Sequence, residues 1–565
     1  MIRDDIRDLI VDAIRRAQEA HQLPAVAVPE VTIERPAKEE HGDYASSIAL
    51  RMARVARMAP MEIANAIVNN AVAPETVASI AVAAPGFINV RLSPTWLAQQ
   101  VDAIHASGAS YGSPNVGAGK RVQVEFVSAN PTGPLHVGTG RGAALGDSLA
   151  RILEWTGHAV DREYYVNDAG SRMEAFNGSV YARYAQHFGQ DVPVPEDGYP
   201  GAYIGEVADA IAAEDGRTYL EMPREEAAPI LGRKGMDILL TQIREDLDRM
   251  NVRFDRWFNE QSLFDEGKVQ RAIDSLRERG FVVEREGAIW FTSSTLGEDK
   301  DNVLIRSNGL PTYFASDVAY HYDKLVERGY DQAIDIWGAD HQGHVPRMKA
   351  VVGALGADPA RLVVLLYQLV NLVRQGQPVA MGKRTGVFVT LREVLDEVGP
   401  DAVRFFLVGR SPDAMMDFDL DLAKAQSDVN PVYYVQYAHA RIASIMRRAE
   451  GTPYADGDVA LLTHNAELAL IRKMLQFSEV VTDAAAALAP HPIPYYAIEL
   501  ATAFHGFYNE CRVIGEDQAL TRARLKLVAA ARVILGKTLD LIGVSAPEEM
   551  WAEDRPSRGD DAPAS

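Results

Sequence analysis

The stretch from residue 121 to residue 166 most constrains what this chain can fold into. An apolar run, R-V-Q-V-E-F-V at Arg121–Val127, enters a Pro/Gly-rich loop at Ser128–Gly140. A helical pattern follows to about Thr156, with Gly157 in the C′ place, and a second strand pattern fills Ala159–Val166. Strand, loop, helix, strand in that order predicts a parallel, doubly wound sheet. Apolar strands return at Gln332–Trp337 and Leu362–Leu369.

The rest of the chain is read around that sheet. At ~150 residues per domain, 565 residues predict three or four domains. Residues 1–110 read as a small α+β module, in which Ile6, Leu9, Ile10, Ala13, Ile14 and Ala17 mark one face of an amphipathic helix. Ser107–Lys120 is a Gly/Ser-rich linker, and 111–429 is the sheet domain, with polar insertions at about 170–300. Residues 430–550 are helical almost throughout, and the polar tail 551–565 is expected to be disordered.

Composition narrows the function classes. The single cysteine, Cys511, excludes an internal disulfide and a cysteine-cluster zinc site, and fits a reducing compartment. No apolar run nears 18 residues, and the charged N-terminal stretch does not resemble a signal or transit peptide, so a cytoplasmic protein without a membrane span is expected. A net charge of −21 argues against a general nucleic-acid binder but leaves room for a local basic patch.

The loop between strand and helix suits an anion. Small residues let backbone approach, N–H groups point outward, and the helix dipole favours negative charge, with His136 adding a side-chain donor. Gly138, Gly140 and Ala143 also match the G-x-G-x-x-A dinucleotide fingerprint, which keeps an oxidoreductase as the alternative. In that fingerprint the first Gly directly follows the strand, whereas about ten residues, including Pro131 and Pro134, intervene here.

The longer string is more specific. Ala129, Asn130, Pro131, Thr132, Gly133, Pro134, Leu135, His136, Val137, Gly138 and Thr139 resemble the first signature of class I aminoacyl-tRNA synthetases. With V-E-F before it and Y-Y-V-N-D-A-G after it, the chain resembles the arginyl-tRNA synthetase family over nearly its whole length. The resemblance implies a Rossmann-like catalytic domain, an N-terminal module that contacts tRNA, carrying G-D-Y-A at Gly42–Ala45 and P-G-F-I-N at Pro85–Asn89, and a C-terminal all-α anticodon-binding bundle. It further implies ligation of arginine to tRNA(Arg), with ATP and Mg2+ as a substrate complex and no tightly bound metal or organic cofactor. The expected partners are tRNA(Arg), L-arginine and ATP, not DNA or membrane, and a monomer is expected.

The second loop, A-M-G-K-R-T-G at Ala380–Gly386, resembles the Lys-Met-Ser-Lys-Arg loop of the same class. Negative charge grows on phosphate oxygens as pyrophosphate leaves, and Lys383 and Arg384 are the cations placed to neutralise it. Both signatures depart from the family: Thr139 stands where a second His is usual, and Ala380 and Gly382 replace Lys and Ser. These departures keep a non-catalytic RNA-binding relative in view.

Other roles follow from the resemblance. Gly338 and Asp340, in W-G-A-D-H-Q-G-H, match the segment that holds the adenosine ribose, and Met381 joins the ATP set. A metal site from Asp340, His341 and His344 is the rival reading there, and it lacks a fourth ligand. An arginine site needs carboxylates, because a guanidinium pairs with them as a fork. Tyr313 and Asp317, four apart on one helix face, match the family's arginine-binding helix, and Glu125, Ser128 and Asn130 flank the first signature. In the helical region, Tyr434, Tyr437, Arg441 and Arg448 are the candidate tRNA contacts, and a core stripe with a solvated basic face is the plain alternative for each.

Overall fold

The structure is a computed structural model that describes residues 1–379 and 389–550. At its centre lies a five-stranded parallel sheet. Its order is Leu362–Tyr367, Gln332–Gly338, Arg121–Glu125, Ala159–Val166, Arg256–Asn259. Within this sheet the strand that comes first in the chain therefore sits in the middle, and successive strands go down on one side of it and then on the other. That reversal opens a crevice at the carboxyl ends of Arg121–Glu125 and Gln332–Gly338, where doubly wound sheets bind ligands.

Strand Arg121–Glu125 ends two residues earlier than the apolar run because Val127 and Ser128 take positive φ, 68° and 39°. A β-branched residue in that region is strained, which marks a backbone held by its surroundings. Strand Leu362–Tyr367 also stops short of Leu369, where Gln368 N–H turns to the Pro412 carbonyl at 2.9 Å.

Helix Val137–Trp155 lies close on the sheet, and its glycines explain how. A Cβ on Gly146 would sit 2.2 Å from the Phe126 ring, and one on Gly142 would sit 3.0 Å from the Tyr367 hydroxyl. Spacing of four puts both on one face, so the small residues bring helix and sheet together. The other side is covered mainly by helix Pro400–Val408, joined by two helices of the C-terminal bundle. Arg404, fully buried, ion-pairs with Asp147 of this helix at 2.7 Å and donates to the carbonyls of Met250 and Ile542.

The N-terminal region packs helix Ile2–Glu19 and helices Ile48–Ala56 and Pro60–Asn69 with a three-stranded antiparallel sheet, Tyr44–Ser46, Phe87–Leu92, Val77–Ala83. Helix Pro94–Ser107 leads away and packs on Asn465–Ala486 and Gln518–Leu541. Those two, with Pro431–Arg448 and Pro492–Glu510, form the C-terminal helical bundle. Between strands Ala159–Val166 and Arg256–Asn259 lie helices Ser171–His187, Ala202–Asp215 and Arg224–Arg249 around their own apolar core. Among the described residues, no helix is long and apolar enough to cross a membrane.

Candidate active site

The first signature forms a kinked loop pinned from several sides. Ser128 Oγ donates to Glu125 Oε1 at 2.9 Å and accepts from the Tyr165 N–H at 3.1 Å. Tyr164 Oη donates to the Ala129 carbonyl at 2.8 Å, and Tyr203 Oη to that of Thr132 at 2.9 Å. These bonds offset the strain of Val127 and Ser128, and Asn130 beside them stays partly exposed.

His136 caps helix Val137–Trp155, with Nδ1 accepting from the Thr139 N–H at 3.2 Å. The ring proton then belongs on Nε2, which donates to Thr139 Oγ1 at 3.1 Å. The imidazole is exposed while Thr139 is only 7% exposed. Thr139 thus steadies His136 rather than standing in the open beside it. A Cβ on Gly138 would press the imidazole at 3.0 Å, so glycine leaves the ring its place.

Behind the loop a buried charge network runs across the sheet. Lys324, with no exposure, donates to Glu125 Oε2 at 2.7 Å and Asp335 Oδ1 at 2.8 Å. His321 Nε2 meets Asp335 Oδ2 at 3.0 Å, and its Nδ1 meets the Asp317 carbonyl at 2.8 Å. Burial opposes the charge on Asp335, and Lys324 and His321 together hold its pKa below the usual range, so it stays ionised. Burial raises the Glu125 pKa even against Lys324.

Asp317 and Tyr313 lie on helix Tyr313–Tyr322, started by Thr312 accepting from the Ala315 N–H at 3.3 Å. Tyr313 is 55% exposed at the cleft, and its hydroxyl accepts from Asn167 Nδ2. Asp317 is partly exposed, lies among protein atoms and has its pKa pushed up to about 6, chiefly by burial and then by Glu125, against His321 and Arg347.

Glu260 joins the same cleft at the end of strand Arg256–Asn259. It is 2% exposed, and its Oε2 has no hydrogen-bond partner. Burial and the nearby Asp317 and Asp168 push its pKa up to about 7, despite hydrogen bonds from Ser316 and Tyr165. The Tyr313 hydroxyl, held up to about 12 by burial, feels Glu260 and Asp317 as well. Glu125, Asp317 and Glu260 thus lie close enough for their charges to act on one another, and of these three only Glu125 is bonded to Lys324, an arrangement suited to a further cationic group.

On the other side of the crevice, Gly338 ends its strand and the turn Ala339–His344 follows. The Asp340 side chain is 81% exposed and lies 3.6 Å from His341. Among the described residues, no cluster of three His, Cys, Asp or Glu is placed to hold a metal ion. Met381, Lys383 and Arg384 lie outside the described residues. The described chain resumes at Val389, and Thr390 pairs with His136 while Leu391 N–H donates to the Leu135 carbonyl at 2.7 Å. The segment that follows the second signature is thus fastened to the first.

In the helical bundle, aromatic and basic side chains gather between Pro431–Arg448 and Pro492–Glu510. Tyr433 and Tyr437 stack with centroids 6.2 Å apart, and Arg441 lies 4.7 Å from the rings of both Tyr437 and Tyr508. Tyr434 packs 4.8 Å from His505, and Arg448 is exposed.

Comparison with known proteins agrees along the chain. Residues 4–92 match the arginyl tRNA synthetase N-terminal domain, 100–446 the catalytic domain of class I (R) tRNA synthetases, and 435–550 the DALR anticodon-binding domain. An arginine–tRNA ligase of Dehalococcoides mccartyi is 49% identical over 551 residues, 97% of this chain and 99% of that one. The chain belongs to the arginyl-tRNA synthetase family. Its activity is that of an arginine–tRNA ligase, with ATP as substrate. The Heliobacterium modesticaldum ligase is 48% identical over 558 residues, 97% of this chain and 99% of that one. The Thermus thermophilus arginyl-tRNA synthetase structure superposes with a TM-score of 0.74 at 25% identity, covering 97% of this chain and all of that one. These matches remove the oxidoreductase alternative, and the glycines of the apparent fingerprint instead make room for side chains, Gly138 for the His136 ring and Gly140 for Leu391.

Of the residues singled out in the sequence, the structure joins Ser128 to Glu125, sets Asp317 within reach of the Glu125 charge and Tyr313 within reach of that of Asp317, and joins His136 to Thr139 at the start of helix Val137–Trp155. Sequence reading missed Glu260, Asn167, Lys324 and Asp335. The signal for Glu260 was its place at the end of a strand, but R-W-F-N is too short and too mixed to read as one. Asp43 and Tyr44 of the G-D-Y-A string are 9% and 1% exposed and face the helical domain rather than solvent.

Proposed function

We propose that arginine lies in the acidic cleft with its guanidinium against Asp317, Glu260 and Tyr313, and its α-amino end near Glu125, Ser128 and Asn130. The observation that carries this reading is Glu260, a buried carboxylate with an unpartnered oxygen beside a second carboxylate. Such a pair stays partly protonated until a cation arrives, and a fork of five N–H donors can satisfy both. Lysine would leave part of that acceptor array unpaired.

ATP, as its Mg2+ complex, occupies the crevice between the first signature and Gly338–Asp340, with the ribose toward Asp340 and the phosphates toward His136 and the helix N-terminus. The arginine carboxylate attacks the α-phosphorus, the bond to the bridging oxygen breaks, and pyrophosphate leaves. Lys383 and Arg384, with Met381 in the same loop, stabilise the charge that gathers on the leaving group. A terminal ribose hydroxyl of tRNA(Arg) then attacks the arginyl carbonyl, loses its proton and displaces AMP. Tyr434, Tyr437, Arg441 and Arg448 grip the anticodon loop by stacking and charge, a local basic patch on an acidic protein.

The test is ATP–pyrophosphate exchange with arginine, with and without tRNA(Arg). The resemblance implies exchange only when tRNA is present. Exchange of equal rate with lysine would contradict the proposed cleft.

A further inference from the structure

The N-terminal module meets the helical domain through charges, and these are unusually ordered. Helix Asn465–Ala486 presents Arg472, Glu479 and Asp483 at spacings of seven and four, one stripe along its surface. Each meets an opposite partner from the N-terminal module. Arg472 Nε donates to Asp43 Oδ1 at 2.7 Å. Glu479 accepts from Tyr44 Oη at 2.6 Å and from Arg35 Nη2 at 2.9 Å, and the Arg35 guanidinium lies 4.4 Å from the Tyr44 ring. Arg3 forms a two-pronged pair with Asp483, both bonds 2.7 Å.

The centre of this joint is dry. Tyr44 is 1% exposed, Glu479 5% and Asp43 9%. These oppositely charged pairs resist displacement: sliding the helix by one turn would leave Arg472 and Asp43 unpaired, and sliding it by two would bring Arg472 against Arg35 or Glu479 against Asp43. Asp43 also spends its second oxygen on the Leu92 N–H at 2.7 Å. It thereby ties strand Phe87–Leu92 directly to the helical domain. That strand buries Ile88, Val90 and Leu92 and turns Phe87, Asn89 and Arg91 to its other face, which is partly or wholly exposed.

We infer that Asp43 and Tyr44, with Arg472 and Glu479, form a latch that sets the N-terminal module at a fixed distance and angle from the anticodon-gripping bundle, so that both hold one tRNA at once. This rests on the reading that both modules contact tRNA. Two sites on one rigid body bind a long ligand with the second contact made intramolecular, and that gain disappears when the sites lose their mutual geometry. The four residues are positioning residues, remote from ATP and arginine.

The test compares two RNAs on Glu479→Gln combined with Tyr44→Phe. Full-length tRNA(Arg) reaches both modules, whereas its isolated anticodon stem-loop reaches only the bundle. The expected result is a dissociation constant for full-length tRNA raised about tenfold, about 1.4 kcal/mol, with stem-loop binding and arginine KM within about twofold. Unchanged full-length binding overturns the inference. So does equal weakening of both RNAs, which would make the joint a mere support for helix Asn465–Ala486. Should that variant not fold, Arg3→Asp at the outer pair is measured with and without Asp483→Arg. Restoration of tRNA binding by the swap supports the latch, and its absence counts against it. Wild-type protein that charges no arginine onto tRNA would instead sink the functional reading.

Discussion

At the proposed arginine end of the cleft, Asp317, Glu260 and Glu125 stand in place before any substrate arrives, two of them nearly buried and braced from behind by Lys324, Asp335 and His321. At the ATP end, His136 is exposed and the Asp340 side chain is 81% exposed. On the proposed reading, selectivity belongs to the first end and chemistry to the second. A buried, prebuilt acidic pocket discriminates by the cost of leaving carboxylates unmatched. An open end, for which Lys383 and Arg384 are the proposed cations, acts mainly once phosphates bind and charge develops.

Breaking the braced end should produce the largest effect. Lys324→Met leaves Glu125 and Asp335 buried without their cation, at a cost of about 3–5 kcal/mol. Urea unfolding should show that loss, and arginine binding should weaken with it. A variant of wild-type stability would mean that the network is not what holds the pocket.

Lys383→Ala attacks the other end. Losing a cation where transition-state charge gathers costs about 3–4 kcal/mol, a hundredfold or more in single-turnover activation. Arginine binding, measured by calorimetry, should hardly change, because the loss lies in the chemical step. Smaller effects sharpen the ATP end further. His136→Ala should lower activation more than Thr139→Ala, by about tenfold or 1.4 kcal/mol, since Thr139 steadies the imidazole from 7% exposure. Equal rates in the two variants would give the hydroxyl a direct role.

The smallest predicted effect is in the pH profile. Glu260, pushed up to about 7 by burial and its carboxylate neighbours, must be ionised to pair with a guanidinium. Arginine affinity should therefore be full above pH 7 and fall as pH drops through that value. The drop should be roughly tenfold per unit while this group alone titrates. Glu260→Gln removes that limb and leaves the one from Asp317 near 6. A wild-type KM for arginine that is flat from pH 8 to pH 6 would contradict the paired-carboxylate cleft.

How much of this was legible in the sequence depended on contiguity. Glu125, Asn130, His136 and Thr139 fall in one unbroken string between strand and helix, so type and spacing placed them together. Strand Ala159–Val166 matches its apolar pattern end to end. Glu260 follows a four-residue strand inside what reads as a polar insertion, and only the sheet brings it to the cleft. Lys324 sits in a π-helical turn, Asp323–Glu327, and a lysine at full burial has no pattern to announce it. The G-D-Y-A string was legible as a family feature but not in its direction, since a motif does not say whether Asp43 and Tyr44 face solvent or a neighbouring helix. Thr139 reads as a weaker phosphate donor from its type alone, and its contact with the His136 ring emerges only in three dimensions.

The central claim is that prebuilt carboxylates select arginine independently of the ATP end, and Asp317→Asn tests it most directly. The change is nearly isosteric, removes one negative charge and turns an acceptor into a donor facing N–H groups. Steady-state KM values for arginine and for ATP are measured on the same variant. The expected result is a rise of two or more decades for arginine, about 3–5 kcal/mol, with the ATP value nearly unchanged. An arginine KM within about threefold of wild type, below ~0.7 kcal/mol, would contradict it and leave Asp317 a structural carboxylate.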